Sequence, residues 1–240
     1  MATKSIGIAL ITGASRGIGA VYAERLAQRG YDLILVARDQ RRLEHLASRI
    51  GSATRRQVWV IAADLSQPAG VRRIEEELAS NDRIRFVVNN AGIADLGGPL
   101  ADSDPAKADA IIDINITALT RIAAAAAKVF SKRRSGTLVN LASALAIKVR
   151  ANTSVYSGSK AYVLQFSRVL HEELKDKGVT VQVVLPGAVA TDIWAASGID
   201  VNTLPKGSVM TAEDMVDAAL AGLDAGELET HPADRYRQVA

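Results

Sequence analysis

The sequence contains no cysteine and few aromatic residues, and these absences exclude several classes of protein. Among its 240 residues there is no Cys, and Phe, Trp and Tyr together make up only 4%. Without cysteine the chain cannot build a disulfide scaffold, a thiolate zinc site or a catalytic thiol. Hydrophobic residues make up 48% and charged residues 23%, a balance typical of globular rather than disordered proteins.

Long apolar runs are also missing. No uninterrupted apolar stretch reaches the roughly 18–20 residues of a membrane-spanning helix. The nearest candidate, residues 120–130, is about half that length and mostly alanine. Residues 1–4 lead directly into an apolar run and a glycine-rich turn, without the pattern of a secretory signal peptide. We therefore expect a cytoplasmic protein with no membrane partner.

Charge of one sign is in slight excess only. The 29 Lys and Arg residues against 26 Asp and Glu give a formal charge of +3. The basic residues are dispersed among acidic ones and form no single stripe, so we expect no nucleic-acid partner. The three histidines, His45, His171 and His231, share no metal-ligand spacing, and the sequence predicts no metal site.

Short apolar runs rich in Ile, Val and Leu alternate with longer amphipathic stretches. The runs are nearly continuous, as in strands buried on both faces of a parallel sheet. We predict one domain over residues 1–240, an α/β fold with a doubly wound (Rossmann) parallel sheet of about seven strands and helices on both faces. The predicted strands are 6–11, 32–36, 57–62, 84–88, 137–141 and 180–185; the predicted helices are 19–29, 40–50, 71–79, 106–131 and 155–177, with one more starting near Thr211.

A glycine-rich turn, TGASRGIG at residues 12–19, follows the first predicted strand. In dinucleotide-binding folds such glycines permit a tight turn, let the backbone approach a pyrophosphate and allow close packing of helix on strand. The N-terminus of the following helix adds N–H donors for the phosphates. Its position after the first strand of a parallel sheet favours a dinucleotide site over an ordinary strand–helix turn.

The end of the second predicted strand indicates which nicotinamide cofactor is preferred. NAD enzymes carry an acidic residue there for the ribose 2′-hydroxyl, but this chain has Ala37 followed by Arg38. Arg38 and Arg16 suit a 2′-phosphate, because guanidinium groups bind phosphate oxygens bidentately. NADP(H) is therefore preferred. NAD(H) is not excluded, since Asp39 could serve its ribose, and both arginines could instead be solvated surface residues.

Tyr156 and Lys160 lie four residues apart at the start of a predicted helix, so they share a face. Ser143 follows the fifth predicted strand, at the edge where the cofactor is expected. An ammonium near a phenol favours the phenolate and lowers the pKa of the tyrosine, as acid–base chemistry near neutral pH requires. The alternative is a half-buried tyrosine beside a lysine whose ammonium extends to solvent.

With further motifs in the same order, the chain resembles the single-domain branch of the short-chain dehydrogenase/reductase family. Besides the glycine turn, the matching segments are Asp64-Leu65, the NNAG segment at 89–92, and 186–191 (PGAVAT). Asn115, Ser143, Tyr156 and Lys160 match the catalytic tetrad of the family. Gly158, where the family usually carries a side chain, is a departure that does not touch the chemistry.

The resemblance implies a function: transfer of a hydride between NADP(H) and the carbonyl or alcohol group of a substrate. Tyr156 would exchange a proton with the substrate oxygen, and Ser143 would hydrogen-bond that oxygen. Lys160 would lower the tyrosine pKa and hold the nicotinamide ribose, while Asn115 would organise a water that links the lysine to solvent. The cofactor contacts are assigned to Gly13, Ser15, Arg16, Gly17, Ile18, Gly19, Arg38, Asp64, Leu65, Asn90, Ala91, Gly92, Tyr156, Lys160, Pro186, Gly187, Val189 and Thr191.

The substrate is less well defined by the sequence. Residues 187–208, rich in Gly, Pro and Asn punctuation, are expected to cover it from beyond the sixth strand. The candidate pocket residues are apolar: Leu96, Leu145, Val149, Ile193 and Trp194. We expect a small, neutral, moderately apolar ketone, aldehyde or alcohol, although Lys148 and Arg150 leave a carboxylate substrate open.

Two further expectations concern assembly and an alternative function. In the family, the helix that carries the alanine run at 123–127 and the helix of the catalytic tyrosine commonly form a dimer interface, so we expect a homodimer or homotetramer. Close packing of the alanines on the protein's own sheet is the alternative. A dinucleotide-binding sensor without catalysis is the competing function, but a sensor has no need of Ser143, Tyr156 and Lys160 together.

Overall fold

The computed structural model describes residues 5–95, 98–191 and 209–234, in which strands and helices alternate. The strands are β1 (Ile8–Thr12), β2 (Asp32–Ala37), β3 (Val58–Ala62), β4 (Ile84–Asn89), β5 (Gly136–Leu141), β6 (Val179–Val184), β7 (Ala188–Val189), β8 (Val209–Met210) and β9 (Glu229–Thr230). The helices are α1 (Gly17–Gln28), α2 (Gln40–Thr54), α3 (Pro68–Ser80), α4 (Pro105–Ile112), α5 (Leu119–Arg133), α6 (Ser154–Leu174) and α7 (Ala212–Asp224).

Seven of these strands form one parallel sheet in the order β3-β2-β1-β4-β5-β6-β9. The chain order reverses between β1 and β4, so the topological switch point, where doubly wound sheets bind ligands, lies beyond the carboxyl ends of these two strands. The two-residue strands β7 and β8 pair separately. The predicted fold is confirmed, and β9 is the seventh strand, which the apolar runs of the sequence did not identify.

The sheet is covered on both faces, which explains why its strands read as continuous apolar runs. In β1, Ala9 and Ile11 pack into one hydrophobic cluster with α1, α2 and α7, whereas Ile8 and Leu10 pack into a second cluster with α3, α5 and α6. All five residues of the strand are buried. Because both faces are covered, we expect a ligand to reach these central strands at their carboxyl ends, where doubly wound sheets bind ligands.

The long predicted helix at 106–131 is interrupted in the structure. A π-helical turn, Asp113–Ala118, joins α4 to α5 and contains Asn115. Such turns insert one extra residue per turn and are frequent at functional sites. The apolar periodicity of this region fits a regular helix equally well, so the sequence pattern could not reveal the interruption.

By length and composition, the whole helical stretch Pro105–Arg133, which includes the π-helical turn, could cross a membrane. It is the one such stretch among the described residues. This finding differs from the expectation that no segment of that kind exists. However, 44% of its most apolar window is buried inside the protein. Ile122, Ala123, Ala126 and Phe130 are at most 1% exposed against the sheet. Core helices of globular proteins pass the same test, so the helix is weak evidence for a membrane span.

A chain of buried polar side chains ties the sheet to α6. Asn89 and Asn140 are register partners on β4 and β5, and Nδ2 of Asn89 donates to Oδ1 of Asn140 over 3.2 Å. Nδ2 of Asn140 then donates to Oγ of Ser167 over 2.9 Å, and this hydroxyl donates to the carbonyl of Val163. Buried amides need such partners because an unpaired one costs roughly 1–3 kcal/mol. These bonds join the later part of α6 to the strands.

Candidate active site

The predicted site segments all follow strands of the sheet at their carboxyl ends. Because these strands are parallel, the segments lie along one edge, as doubly wound folds require of a ligand site. The segments are 13–19 after β1, Arg38 after β2, Asp64 and Leu65 after β3, 90–92 after β4, Ser143 after β5, and 186–191 after β6.

The glycine turn leaves no room for side chains. Gly13 has a φ of +66°, and a Cβ added to Gly19 would lie 2.4 Å from the carbonyl oxygen of Gly13. The residue that precedes α1, Arg16, makes no side-chain hydrogen bond to the first turn of the helix. The N–H groups at the start of α1 therefore receive no acceptor from the side chain of Arg16. They lie beside the glycine turn, an arrangement that fits a pyrophosphate.

A pair of polar residues fixes this turn to the segment after β4. Oγ1 of Thr12 accepts hydrogen bonds from the backbone N–H groups of Asn90 and Ala91, both at 3.0 Å. In return, Nδ2 of Asn90 donates to the carbonyls of Thr12 and Gly13 at 2.9 and 3.2 Å. The side chain of Asn90 thus supports the turn. Sequence reasoning missed this role of Thr12, for which a hydroxyl at the end of an apolar strand was the available signal.

The adenosine end of the site contains Arg38, Asp39 and Asp64. Arg38 is exposed directly after β2. The carboxylate of Asp39 caps α2: it accepts the backbone N–H of Arg42 at 3.0 Å and pairs with its guanidinium at 3.3 Å. Burial raises the pKa of Asp64, but hydrogen bonds from Ser66 and the charge of Arg38 outweigh it and hold that pKa below its ordinary value. Asp39 is committed to its helix, which weakens the alternative that it binds the ribose of NAD.

Ser143 and Tyr156 meet at the carboxyl end of β5. Ser143 precedes a short 3₁₀ turn, and its Oγ accepts the N–H of Leu145 at 3.1 Å. Tyr156 is half-buried in the first turn of α6. Burial raises the pKa of its phenol, and a hydrogen bond from Ser143 opposes the shift only in part. Desolvation of the phenol dominates in this structure, so the pKa of Tyr156 lies above its ordinary value.

Lys160 is a buried cation one turn further along α6. Its side chain is enclosed, with 5% of the residue exposed, and Nζ donates to the carbonyl oxygen of Leu141 at 2.9 Å. Nζ lies 5.7 Å from the centre of the Tyr156 ring. Burial lowers the pKa of Lys160 from 10.5 to about 8. The lysine can therefore change its protonation state near neutral pH.

Asn115 is fully buried in the π-helical turn and, like Lys160, lies close to Gly92. A Cβ added to Gly92 would lie 3.2 Å from Oδ1 of Asn115 and 3.4 Å from Nζ of Lys160, so the segment after β4 lies against both groups. Asn115 also exchanges hydrogen bonds with the backbone of Ile93: Oδ1 accepts its N–H at 3.0 Å and Nδ2 donates to its carbonyl at 2.9 Å. The four predicted catalytic residues thus belong to one connected site.

The predicted substrate pocket is described only in part. Leu145 is half-buried beside Ser143, whereas Val149 is fully exposed among the described residues. Leu96, Ile193 and Trp194 lie outside the described residues, as does most of the proposed covering loop. At the start of this loop, the carbonyl of Pro186 accepts the N–H of Ala144 at 2.8 Å, which joins it to the Ser143 turn.

The last predicted cofactor segment returns to the glycine turn. Val189 is buried in β7. Cγ2 of Thr191 lies 3.2 Å from the position that a Cβ on Gly17 would take. The segments after β1 and β6 therefore contact each other across the site, as a pair of loops that enclose a bound dinucleotide would.

The site and the fold together define an oxidoreductase of the Rossmann type, and comparison with known proteins gives its family. The model of the short chain dehydrogenase family matches residues 7–202. The chain belongs to the short-chain dehydrogenase/reductase family, whose members use NAD(P).

Solved structures resemble it over nearly the whole chain. A short-chain dehydrogenase from Sphingobium yanoikuyae, in complex with NADPH, is 44% identical, with 97% of this chain and 91% of that chain covered and a TM-score of 0.91. An alcohol dehydrogenase from Comamonas testosteroni, described as specific for bulky-bulky ketones, is 39% identical, with 98% and 91% covered and a TM-score of 0.87.

Two curated relatives that resemble this chain are longer than it. Human 17-beta-hydroxysteroid dehydrogenase type 3 is 34% identical over 88% of this chain and 66% of its own length. Zebrafish (Danio rerio) very-long-chain 3-oxoacyl-CoA reductase-A is 36% identical over 76% of this chain and 58% of its own length. The chain thus spans about two thirds or less of the length of these relatives.

The buried Lys160 charge yields a prediction on stability. Folding lowers the pKa of this amine from 10.5 to about 8, so the unfolded chain binds more protons between these values and the penalty is largest below pH 8. We expect Lys160→Met to stabilise the fold by up to about 3 kcal/mol at pH 7 and by only about 1 kcal/mol at pH 9.5. Urea denaturation at both pH values measures the difference.

The exposed Lys128 on α5 provides the matched control. We expect Lys128→Met to change the free energy of unfolding equally at both pH values. A Lys160→Met gain that does not shrink at the higher pH would contradict the burial penalty.

Proposed function

We propose that the protein is an NADPH-preferring carbonyl reductase that acts on neutral, moderately apolar ketones or aldehydes and, in reverse, on the corresponding alcohols. The observation that carries this proposal is the connected group of Ser143, Tyr156 and Lys160 at the sheet edge. The bound cofactor would supply or accept the hydride, and the protein would orient the substrate and handle the proton.

The protein groups have separate tasks in this mechanism. The Ser143 hydroxyl would bind the substrate oxygen and hold it beside the phenol of Tyr156, which would exchange a proton with it. Lys160 would bind ribose hydroxyls of the cofactor, and its ammonium would favour the phenolate while the proton is away. Ser143 and Lys160 are buried and Tyr156 is half-buried, so water screens their interactions less than at the surface.

The protonation state of Tyr156 determines which step is fast at a given pH. Burial raises the pKa of Tyr156, so at neutral pH the phenol is protonated and ready to give its proton to a developing alkoxide. Oxidation of an alcohol needs the deprotonated phenol and is therefore expected to gain at alkaline pH.

Preference for NADPH is supported by the adenosine end of the site. Arg38 is exposed after β2, while Asp39 is occupied as the cap of α2. A 2′-phosphate would meet the guanidinium of Arg38 there, whereas the carboxylate of Asp39 already holds the start of α2. The Sphingobium yanoikuyae relative, which was crystallised with NADPH, supports the same preference.

The substrate proposal rests on apolar surroundings and on the relatives. Leu145 is apolar and adjoins Ser143, and Lys148 and Arg150 are exposed beyond it. The names of the relatives refer to bulky ketones, hydroxysteroids and 3-oxoacyl thioesters, all of which combine a carbonyl or carbinol with a large apolar part. We therefore propose ketones without charge near the reacting carbon.

A carbonyl panel tests the reaction and the role of the tyrosine together. We expect NADPH oxidation with neutral aryl or alicyclic ketones and little with small dicarboxylic ketones. Tyr156→Phe should lower kcat at least about 100-fold, because the proton donor is lost, while the Kd for NADPH stays unchanged.

Two results would contradict this proposal. Retained turnover in Tyr156→Phe would remove the tyrosine from its role. Tight NADPH binding without turnover of any carbonyl or alcohol would instead support a dinucleotide-binding sensor.

Arg38 tests the cofactor preference. We expect Arg38→Ala to weaken NADPH binding at least about tenfold and to leave NADH binding unchanged, because only NADPH carries the 2′-phosphate. Fluorescence titration of each nucleotide gives both dissociation constants. Arg41→Ala, at an exposed arginine in the first turn of α2, is the control and should change neither. Equal affinity of the wild-type protein for NADH and NADPH would overturn the preference.

We also propose that two or four copies associate through the outer faces of α5 and α6. Tyr162 and Val169 are 37% and 48% exposed on α6, one to two turns apart, and the Tyr162 ring stacks on Phe166. Ala124 is exposed on α5, and Thr120 bonds the Tyr162 hydroxyl at 2.9 Å. Small and apolar groups over two adjacent helices are a suitable core for a symmetric interface.

Charge on this face should separate the copies. We expect Val169→Glu to reduce the mass of the assembly in size-exclusion chromatography with light scattering, because a buried unpaired carboxylate is costly. Ile6→Glu, at an exposed residue before β1, should leave the mass unchanged. A monomeric wild-type protein would refute the proposed assembly.

A further inference from the structure

Helix α6 carries a buried hydroxyl, that of Ser159, between Tyr156 and Lys160. Ser159 is 1% exposed, and its Oγ donates to the backbone carbonyl of Tyr156 at 2.7 Å. The same Oγ accepts a hydrogen bond from Nδ2 of Asn115 at 3.1 Å. Ser159 is therefore the side chain through which the π-helical turn is hydrogen-bonded to α6.

The carboxamide of Asn115 needs this partner. Its Oδ1 and one Nδ2 hydrogen are used by the backbone of Ile93, and Ser159 takes the other Nδ2 hydrogen. With Ser159 in place, all three bonds hold the amide plane in one orientation. Without it, a buried N–H would lose its partner, and the amide would be free to turn or to admit a water.

The orientation of this amide matters for the lysine. A Cβ on Gly92 would lie 3.2 Å from Oδ1 of Asn115 and 3.4 Å from Nζ of Lys160. The segment that follows β4, a predicted cofactor contact, therefore packs against both the amide and the ammonium. A shift of either group would change where the reacting groups stand relative to the cofactor.

We propose that Ser159 is a positioning residue for catalysis, which holds the Asn115 carboxamide against α6 and so fixes Lys160 and Tyr156 at the working distance from the cofactor segment. The inference rests on the proposed function, since it assigns Ser159 a role through Lys160 and Tyr156. It adds a residue to the site beyond the four that the motifs indicate.

Ser167 offers a matched control two turns further along the same helix. It is also buried, its Oγ also donates to a backbone carbonyl of its own helix at 2.7 Å, and it also accepts from a buried asparagine, Asn140, at 2.9 Å. Ser167→Ala thus removes the same kind of hydrogen bonds in the same helix without touching Asn115. A purely structural role predicts the same behaviour for both variants.

Steady-state kinetics on the full chain give the first test. We expect Ser159→Ala to lower kcat about tenfold with little change in the KM for NADPH, because misplaced reacting groups slow the chemical step. Ser159→Thr, which keeps the hydroxyl, should restore most of the rate. Ser167→Ala should leave kcat within about twofold of wild type, even if it loses as much stability in urea.

A double substitution tests the route of the effect. In Asn115→Ala, the partner of Ser159 is already gone, so adding Ser159→Ala should cost little more in kcat. Additive losses, or equal loss of kcat in Ser159→Ala and Ser167→Ala, would overturn the proposal and leave Ser159 as an ordinary buried helix serine.

A second readout does not depend on turnover. The pKa of the Lys160 amine, followed by NMR with ¹³Cε-lysine, should rise by about half a unit or more in Ser159→Ala, because water that enters beside a loosened amide relieves desolvation. Ser167→Ala should leave it unchanged. If the wild-type protein reduces no carbonyl, the proposed function fails by the panel above, while an unchanged Lys160 pKa in Ser159→Ala would separately overturn the positioning role.

Discussion

The burial of the Lys160 ammonium is the constraint on which the rest of the site depends. A charged amine inside a protein needs a hydrogen-bond acceptor and a surrounding that does not shift, and here the acceptor is the carbonyl of Leu141 at the end of β5. That strand end, in turn, is held between β4 and β6. The hydrogen bond from Lys160 to Leu141 therefore places the start of α6, and with it Tyr156, beside the end of β5.

Much of this architecture could be predicted from the sequence, because two strong signals act together. Runs such as 33–36 are apolar throughout, as strands of a sheet covered on both faces require, and glycines such as Gly13 and Gly19 stand where neighbouring atoms approach too closely for a Cβ. The four catalytic candidates were found through ordered motifs rather than through geometry. Those predictions concern positions along the chain, and the parallel sheet brings them to one edge.

Other features depend on contacts that no local pattern records. The strand β9 has only two residues, and its place in the sheet is set by pairing with Val183 and Val184 rather than by its own composition. The π-helical turn at Asn115 and the hydroxyl of Ser159 depend on each other across 44 residues of sequence, and the Thr12–Asn90 pair spans 78 residues. The raised pKa of Tyr156 could not be predicted, because a sequence reveals a neighbouring charge more readily than the loss of water around a phenol.

The hydrogen bonds between Thr12 and the segment after β4 have a consequence for how the cofactor site can change by substitution. These hydrogen bonds are made entirely within the protein, so the glycine turn that would receive the pyrophosphate is already ordered. Binding there therefore costs little conformational entropy. Arg38 lies outside this hydrogen-bonded turn, at an exposed position after β2. The turn that would hold the pyrophosphate is therefore separate from the residue that would select the nucleotide. Substitutions at Arg38 can change which nucleotide is favoured while the turn, and the chemistry beside it, stays intact.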